Sequence, residues 1–463
     1  MKIRLLPIIT AAALTPSMGF ALGVRLLDQD AAATARADAF VATADNPSAI
    51  YYNPAGITQL DNLTARLGVY SVNLDVDYYP EKGGDSFDAH HKWSFVPQSF
   101  YTMRPKDWPF TFGLGFYSPF GLEMKWPENG PFRQITTYGK LETITANPVI
   151  ALQVTRTLSV AFGATINYGE LDLRQGILGP EFGGGDQFRF KGSGLSGGFN
   201  AGILWKPTAQ HSFGITYRSG VSIDFEGHTK AILSDKERHA AHAGNQQVAA
   251  ARAKVDAIEQ QINSAPLPPA IKAQLIAKAE AQFAAGLAAA GVPPGGFVED
   301  LGPMQEADAK FRMPQVVTFG YSFRPTPQWN LEVDADYTDW DSLNTVKLHQ
   351  KDGQTFDLPF NWRSSWIFEF GATRKFDNGF RLSGGYGYAQ NSVPNESFQP
   401  SVPDSNHHFF SLGIGQSMSN KIDWDVAYQL TYGPKRTIDN DTLADGRYRF
   451  ISHAITFSVG YHF

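Results

Sequence analysis

The chain has 463 residues, a length that fits either two or three ordinary soluble domains or one large β-barrel. It contains no cysteine, which excludes a disulfide framework and a thiolate metal site, and its formal charge of -6 without any basic run makes nucleic acid an unsuitable partner. The 44 glycines and 13% aromatic residues, beside only 18% charged residues, are typical of a glycine- and aromatic-rich sheet protein.

Residues 1–21 have the pattern of an export signal. Lys2 and Arg4 precede an apolar stretch from Leu5 to Leu14, and small residues follow. Cleavage after Ser17 and cleavage after Ala21 both stay open. No later segment has about 18 uninterrupted apolar residues, so a helical inner-membrane transporter is excluded. An exported protein without a helical anchor is a periplasmic protein, a secreted protein or a barrel.

Long segments of the chain alternate apolar with small or polar residues. They include Leu158–Tyr168, Phe213–Glu226 and Ile422–Tyr432. In the second segment we expect Phe213, Ile215 and Tyr217 to share one lipid-facing side with Val221, Ile223 and Phe225. A soluble sandwich also alternates, but its strands are usually about 5–6 residues long, whereas a tilted strand needs about 9–11 residues to cross a bilayer. Since lipid offers no hydrogen bonds to the backbone, such strands must close into a barrel.

The connections between these segments predict the number of strands. Six short turns alternate with seven long loops, which gives fourteen strands with both chain ends on the periplasmic side. The last segment, Ile451–Phe463, alternates and ends on an aromatic residue, which resembles the signature that the outer-membrane assembly machinery recognises. We therefore predict an all-β fold: an antiparallel, fourteen-stranded transmembrane β-barrel over residues 63–463 in the cell outer membrane.

Residues 22–62 do not alternate and precede the first strand. A lumen of fourteen strands is too wide for wall side chains to fill, so we expect this segment to be an N-terminal hatch that plugs it. The alternative is a disordered periplasmic tail.

The longest loop, 231–306, carries a helical pattern. Two amphipathic helices separated by prolines predict a hairpin outside the membrane. Their apolar faces either pack on each other or also offer a landing surface for a hydrophobic ligand.

Pro119, Phe120 and Gly121 interrupt the third strand. Proline cannot donate to a ladder and glycine weakens one, so we expect a kink with broken pairing. If the kink lies within the wall, it opens a side window; a turn at the outer end of the strand explains the same residues.

Several short motifs resemble the FadL/TodX family of hydrophobic-compound channels. They appear in the family's order over nearly the whole mature chain: Asn53-Pro54-Ala55-Gly56, Ser118-Pro119-Phe120-Gly121-Leu122, Thr216-Tyr217-Arg218-Ser219 and Ser392-Val393-Pro394. The resemblance implies passive uptake of long-chain fatty acids or other hydrophobic small molecules, such as aromatic hydrocarbons. External loops would catch the ligand, a barrel pocket would hold it, and the hatch would shift. The ligand would then leave sideways at the third-strand kink into outer-membrane lipid.

The resemblance also implies ligand residues. In fatty-acid members a basic residue on the fifth strand meets the carboxylate, and Arg174 matches that position, although a solvated lumen arginine explains it equally well. A second basic position falls near Asp357 or Leu358, where this chain departs from the family. Arg363 is the nearest substitute. The departure keeps aromatic hydrocarbons open as substrates.

Two other classes compete with a transporter. A barrel lipase needs a Ser/His pair and a barrel protease needs Asp and His at its outer rim, but the aspartates and histidines here form no readable constellation. A structural or adhesion barrel needs no hatch, so the hatch residues Asn53, Pro54 and Ala55 argue against it. We expect a monomer without catalytic residues, metal or cofactor.

Overall fold

The computed structural model describes residues 23–81, 83–90, 92–106, 108–180, 184–290, 299–418 and 421–463. The predicted signal peptide, residues 1–21, lies outside the described residues.

Fourteen antiparallel strands form the wall, and the last pairs with the first, which closes the barrel. Five strands consist of two segments. The strands are β1 Asn62–Pro80, β2 Trp93–Arg104, β3 Phe110–Tyr117 with Gly121–Lys125, β4 Tyr138–Gln153, β5 Leu158–Gln175, β6 Gln187–Trp205, β7 His211–Arg218 with Val221–Ile232, β8 Gln305–Met313 with Val316–Thr326, β9 Trp329–Thr338 with Thr345–Gln350, β10 Thr355–Pro359 with Ser365–Lys375, β11 Phe380–Ala389, β12 His407–Ser417, β13 Ile422–Ile438 and β14 Gly446–His462. The predicted fold is confirmed.

The N-terminal segment fills the lumen. It contains the short helices α1 (Ala31–Thr34) and α2 (Ala49–Tyr52) and a 3-10 helix, Pro54–Gln59, and nearly all of its residues are buried. Asp30 begins α1 because its side chain accepts a hydrogen bond from the N–H of Ala32. Glycines in the wall let the segment approach closely: a Cβ added at Gly202 would lie 2.3 Å from Asn53 Oδ1.

The longest loop forms the predicted helical hairpin, with α3 at Asp235–Ser264 and α4 at Pro269–Ala289. Ser234 and Glu237 form a capping box that begins α3. The two helices contact each other, yet apolar side chains such as Ile258 and Ile271 stay exposed. In the described part of the chain, none of the helices combines the length and apolar character that a membrane-spanning helix requires.

The predicted single lipid-facing side of the seventh strand is wrong. Phe213 and Ile215 are exposed on the outer surface, but Val221, Ile223 and Phe225 are buried in the lumen. The faces exchange where β7 is interrupted between Arg218 and Val221, and β8 is interrupted beside it between Met313 and Val316. Beyond this break Asp224 and Glu226 are exposed on the outside, and the apolar side lines the lumen. Sequence alternation alone does not reveal which medium each face meets.

Candidate functional site: the kinked strand, its seal and the adjoining cavity

The wall is incomplete at the third strand. Phe110–Tyr117 pairs with both β2 and β4, but Gly121–Lys125 pairs with β4 and has no ladder partner on β2 among the described residues. Pro119 lies between the two segments, where its missing N–H and fixed φ interrupt the ladder. The predicted kink is therefore within the wall rather than at a turn, and on one side the edge of Gly121–Lys125 has no strand of the wall beside it, although the carbonyl oxygen of Lys125 accepts from the N–H of His90 at 2.8 Å.

The N-terminal segment covers this break with its own backbone. The N–H of Gly121 donates to the carbonyl oxygen of Val24 at 2.7 Å, and the N–H of Leu26 donates to the carbonyl oxygen of Pro119 at 2.9 Å. Arg25 and Phe120 thereby form a single antiparallel bridge. Of the groups that the kink frees, the carbonyl oxygen of Pro119 and the N–H of Gly121 are paired to the hatch, whereas the N–H and the carbonyl oxygen of Phe120 bond the hydroxyl of Thr143 on β4.

Arg25 anchors this seal to the opposite side of the lumen. Its guanidinium donates to both carboxylate oxygens of Asp336, at 2.6 and 2.7 Å, and to Thr338 Oγ1 at 2.9 Å. Both charged side chains are buried, and Glu369 lies close enough to add its negative charge. A buried, bidentate pair of this kind holds the sealing strand in one position.

The predicted hatch residues hold the middle of the N-terminal segment. Asn53 donates from Nδ2 to the carbonyl oxygens of Val41, at 2.9 Å, and Ile203, at 3.0 Å, so it ties the segment to β6. Pro54 and Ala55 begin the 3-10 helix, whose first turn the Asn53 side chain caps. These three residues are buried and do not touch the kink through any described hydrogen bond.

An apolar cavity adjoins the seal. Its volume is about 90 Å³, and its lining is predominantly apolar, as in pockets that bind hydrophobic ligands. Val24 and Leu122, on the two sides of the seal, line it together with large side chains of the outer lumen. These include Leu171, Leu173, Phe188, Phe190, Phe311, Met313, Leu348, Phe360 and Trp362. Val24 thus lies between the cavity and the kink.

Arg174 borders the cavity but directs its guanidinium elsewhere. It donates to Asp172, with a closest distance of 2.7 Å, and its guanidinium carbon lies 4.5 Å from the ring centroid of Tyr138. Asp172 and Arg174 share the strand face of the exposed Ile166, whereas Leu173 packs against the lumen core. The guanidinium of Arg174 thus points away from the lumen, and its contact with a transported carboxylate stays a prediction.

Arg363 lies apart from Arg174. Its side chain is 71% exposed and lies 3.8 Å from Glu396, and Arg363 is not among the residues that line the cavity. Leu358, at the position where the family's second basic residue was expected, does line the cavity. The two predicted ligand residues are therefore not brought together.

A pair of carboxyl groups is buried in the hatch. Burial raises the pKa of Asp28 to about 6, and burial together with the charge of Asp28 raises the pKa of Asp38 well above its usual range. Gln429 donates to Asp28 at 3.0 Å and the Tyr52 hydroxyl donates to Asp38 at 2.8 Å. Sequence reasoning missed this pair, because nothing in the sequence indicates that two residues ten positions apart meet.

Among the described residues, one short motif resembles an enzyme motif. No group of three His, Asp or Glu side chains there is placed to hold a metal ion. Gly194–Gly198 matches the G-x-S-x-G spacing of serine hydrolases, which sequence reasoning overlooked. Its Ser196 lies midway along β6. The motif's nucleophile requires a sharp turn from a strand into a helix, so this context does not fit it.

Comparison with known proteins identifies the family. Residues 12–463 match the model of the family described as "Outer membrane protein transport protein (OMPP1/FadL/TodX)". The chain belongs to this family. As a member of the FadL/TodX family, it is an outer-membrane transport protein. This confirms the location and the transport role predicted from the sequence.

Similar proteins cover nearly the full chain of this FadL/TodX member. The long-chain fatty acid transport protein of Escherichia coli O6:H1 is 22% identical over 92% of this chain and 90% of that protein, and the one of Salmonella typhi is 21% identical over 91% and 88%. Among solved structures, a Pseudomonas aeruginosa FadL homologue has a TM-score of 0.73 at 21% identity and covers 95% of this chain and 99% of its own. A TodX monoaromatic hydrocarbon channel has 0.67 at 16% and covers 97% and 100%. At these identities the solved structures show a shared fold.

Proposed function

We propose that this protein is a passive outer-membrane channel for hydrophobic small molecules, either long-chain fatty acids or aromatic hydrocarbons. The observation that carries the proposal is the double role of Val24, which lines the apolar cavity and also closes the kink. The similar proteins are named or titled for these two substrate classes, fatty acids and monoaromatic hydrocarbons, which supports the same chemistry here.

The proposed route begins at the outer loops, including the exposed apolar residues of α3 and α4, and continues into the cavity. The N-terminal strand at Val24–Leu26 then withdraws from Pro119–Gly121, and the ligand leaves between β2 and β3 into the membrane. This lateral exit keeps the ligand out of water, where each exposed CH₂ costs about 0.8 kcal/mol. The shift of the hatch, which Asn53, Pro54 and Ala55 hold to the wall, is part of the proposal.

A carboxylate head group, where the ligand has one, would be met outside the cavity. Arg363 is exposed at the outer loops and Arg174 lies at the rim of the wall, so we propose both as contacts during capture. Arg174 can donate hydrogen bonds to a ligand carboxylate once it gives up part of its bonding to Asp172. Inside the cavity the contacts would be apolar, which suits hydrocarbons and acyl chains alike.

Transport in cells tests the proposal. A strain that lacks the protein, supplied with micromolar labelled oleate or toluene, should take up at least one of the two several-fold more slowly than the parent, and the wild-type gene should restore the rate. Equal uptake of both compounds with and without the protein would refute it. We further propose a monomer with no hydrolase activity, delivered by the outer-membrane assembly machinery. Ester hydrolysis by the purified barrel, lost in Ser196→Ala, would instead indicate a barrel lipase.

A further inference from the structure

Three cations lie side by side on neighbouring strands. Arg174 on β5 is the register partner of Arg189 on β6, and Arg189 is the register partner of Lys230 on β7. Like charges directly opposite each other destabilise a sheet. Asp172 accepts from both arginines, at 2.7 Å each, but Lys230 has no acidic partner within the described residues. The cluster, to which the exposed Lys191 next to Asp172 also belongs, holds four positive charges, with Asp172 among them and Glu123 beside Arg174.

These side chains face away from the lumen. On each strand the neighbouring residues of the opposite face are buried inside: Leu173 packs against the lumen core, and Phe190 and Thr229 are about 1% exposed. Lys191 and Lys230 are exposed, and both arginine side chains are about one third exposed. The cluster therefore lies on the outer surface of the barrel.

The position of the cluster along the wall indicates what surrounds it. On β5 the outward apolar side chains run from Leu158 to Tyr168, which at about 3.3 Å per residue and a tilt of about 40° spans roughly 25 Å, the height of the apolar band of outer-membrane barrels. Arg174 lies six residues beyond Tyr168, or roughly 15 Å above the edge of that band by the same geometry. This height lies beyond the acyl chains, on the polar side of the outer leaflet.

Glu142, Glu170 and Glu226 lie in register between the apolar band and the cluster and form an acidic rung. Two of these three carboxylates have partners. Glu142 lies 2.5 Å from Lys140, and Glu170 accepts from the hydroxyl of Tyr168 at 2.9 Å. Glu226, on β7, is exposed. The free positive charge of this part of the wall is thus concentrated in the cluster above the acidic rung.

We propose that Arg174, Arg189, Lys191 and Lys230 form a binding site for the phosphate groups of a phosphorylated glycolipid in the outer leaflet, that is, lipopolysaccharide. Guanidinium groups bind phosphate in a bidentate manner, and Asp172 together with the Tyr138 ring holds the two arginines in place for it. The bound phosphate offsets the electrostatic repulsion between Arg174, Arg189 and Lys230. The site lies outside the lumen; it shares Arg174 with the proposed capture of a ligand carboxylate, and its test measures lipopolysaccharide binding rather than transport.

Binding of lipopolysaccharide by the purified full-length barrel tests this site. The variant Arg174→Gln/Arg189→Gln/Lys230→Gln should retain at least fivefold less lipopolysaccharide after detergent extraction than wild type, and should lose the rise in melting temperature that added lipopolysaccharide causes. The control Lys236→Gln/Lys254→Gln/Lys278→Gln removes the same charge from exposed positions on α3 and α4, and should behave as wild type. Equal retention by wild type and both triple variants would overturn the proposal.

Two further measurements guard against misfolding and against a free anion. Lys191→Gln/Lys230→Gln leaves the arginine and aspartate contacts intact and should still lower retention at least twofold, whereas Arg174→Lys/Arg189→Lys keeps the charge and should retain most of it. Dephosphorylated lipopolysaccharide should not raise the melting temperature. If inorganic phosphate alone at millimolar concentration produced the full rise, the site would be one for a free anion and the glycolipid proposal would be wrong.

Discussion

The backbone N–H of Gly121 donates to the carbonyl oxygen of Val24 across a distance of 2.7 Å, so the kinked third strand is completed by the chain's own N-terminal segment. A neighbouring wall strand would be held in place by its whole ladder, whereas the N-terminal segment makes only two backbone hydrogen bonds here. Two such hydrogen bonds contribute only about 1–3 kcal/mol in total, at about 0.5–1.5 kcal/mol each. These backbone bonds alone hold the seal weakly, and its opening also requires Arg25 to leave Asp336.

The buried pair of Arg25 and Asp336 should decide how often the seal opens. Arg25→Gln leaves a buried carboxylate without its partner, and breaking such a pair costs about 3–5 kcal/mol. We expect proteolysis of the N-terminal segment in detergent to accelerate at least tenfold and the barrel itself to stay folded. Asp336→Asn should act similarly, and the double variant should be less affected than the sum of the single ones. Unchanged proteolysis in both single variants would show that this pair does not hold the seal.

Filling the cavity should slow transport without harming assembly. Leu173→Trp adds bulk where the side chain lines the cavity, so uptake of the transported compound should fall at least fivefold. Leu195→Trp places the same ring on the outer surface, where the leucine is 69% exposed, and should leave uptake near the wild-type rate. Both variants need equal abundance in the outer membrane. Equal uptake by the two would show that this cavity is not on the route.

Stability of the hatch should depend on pH through Asp28. Its pKa is about 6 in the folded protein against 3.8 for a free side chain, so the folded state binds the proton more tightly. Protonation of Asp28 therefore favours folding at low pH, and this contribution to stability is lost as pH rises from about 4 to about 6, while the contribution of Asp38, whose pKa is raised more strongly, is lost above that range. Asp28→Asn should reduce the slope between pH 4 and pH 6 and protect the hatch from protease at pH 7.5. The neighbouring Asp38, Tyr52 and Gln429 stay in place, so a wild-type slope in this variant would contradict the assignment.

Because the two faces of β7 exchange at the break, a polar substitution at an inward position beyond it should lower stability more than one at an outward position. Ile223→Asn buries an amide in the lumen core, where an unpaired polar group costs about 1–3 kcal/mol. Asp224→Asn, one position further, changes an exposed outward side chain paired with Lys310 at 3.4 Å and should change stability little. Unfolding by heat in detergent, followed by gel mobility, measures both. The opposite order of effects would mean that the faces do not exchange at the break.

The sequence predicted the architecture because barrel strands are specified locally. Alternation, turn chemistry and loop lengths were sufficient for fourteen strands, the hairpin of α3 and α4 and the kink at Pro119. It could not predict which buried groups meet across the lumen: Arg25 and Asp336 are 311 positions apart, and no local pattern links them. The direction of Arg174 was also hidden, because the sequence does not show that the apolar side of the wall turns inward beyond the apolar band.

A reversible cross-link between the hatch and the kink tests the central claim most directly. Arg25 and Phe120 form a non-hydrogen-bonded antiparallel pair, whose Cα atoms lie about 4.5 Å apart, within the range of a disulfide. The chain has no other cysteine, so Arg25→Cys/Phe120→Cys gives one defined bond. The oxidised protein should transport at least tenfold more slowly than the same protein after reduction. Equal uptake in the oxidised and reduced states would contradict exit through the kink.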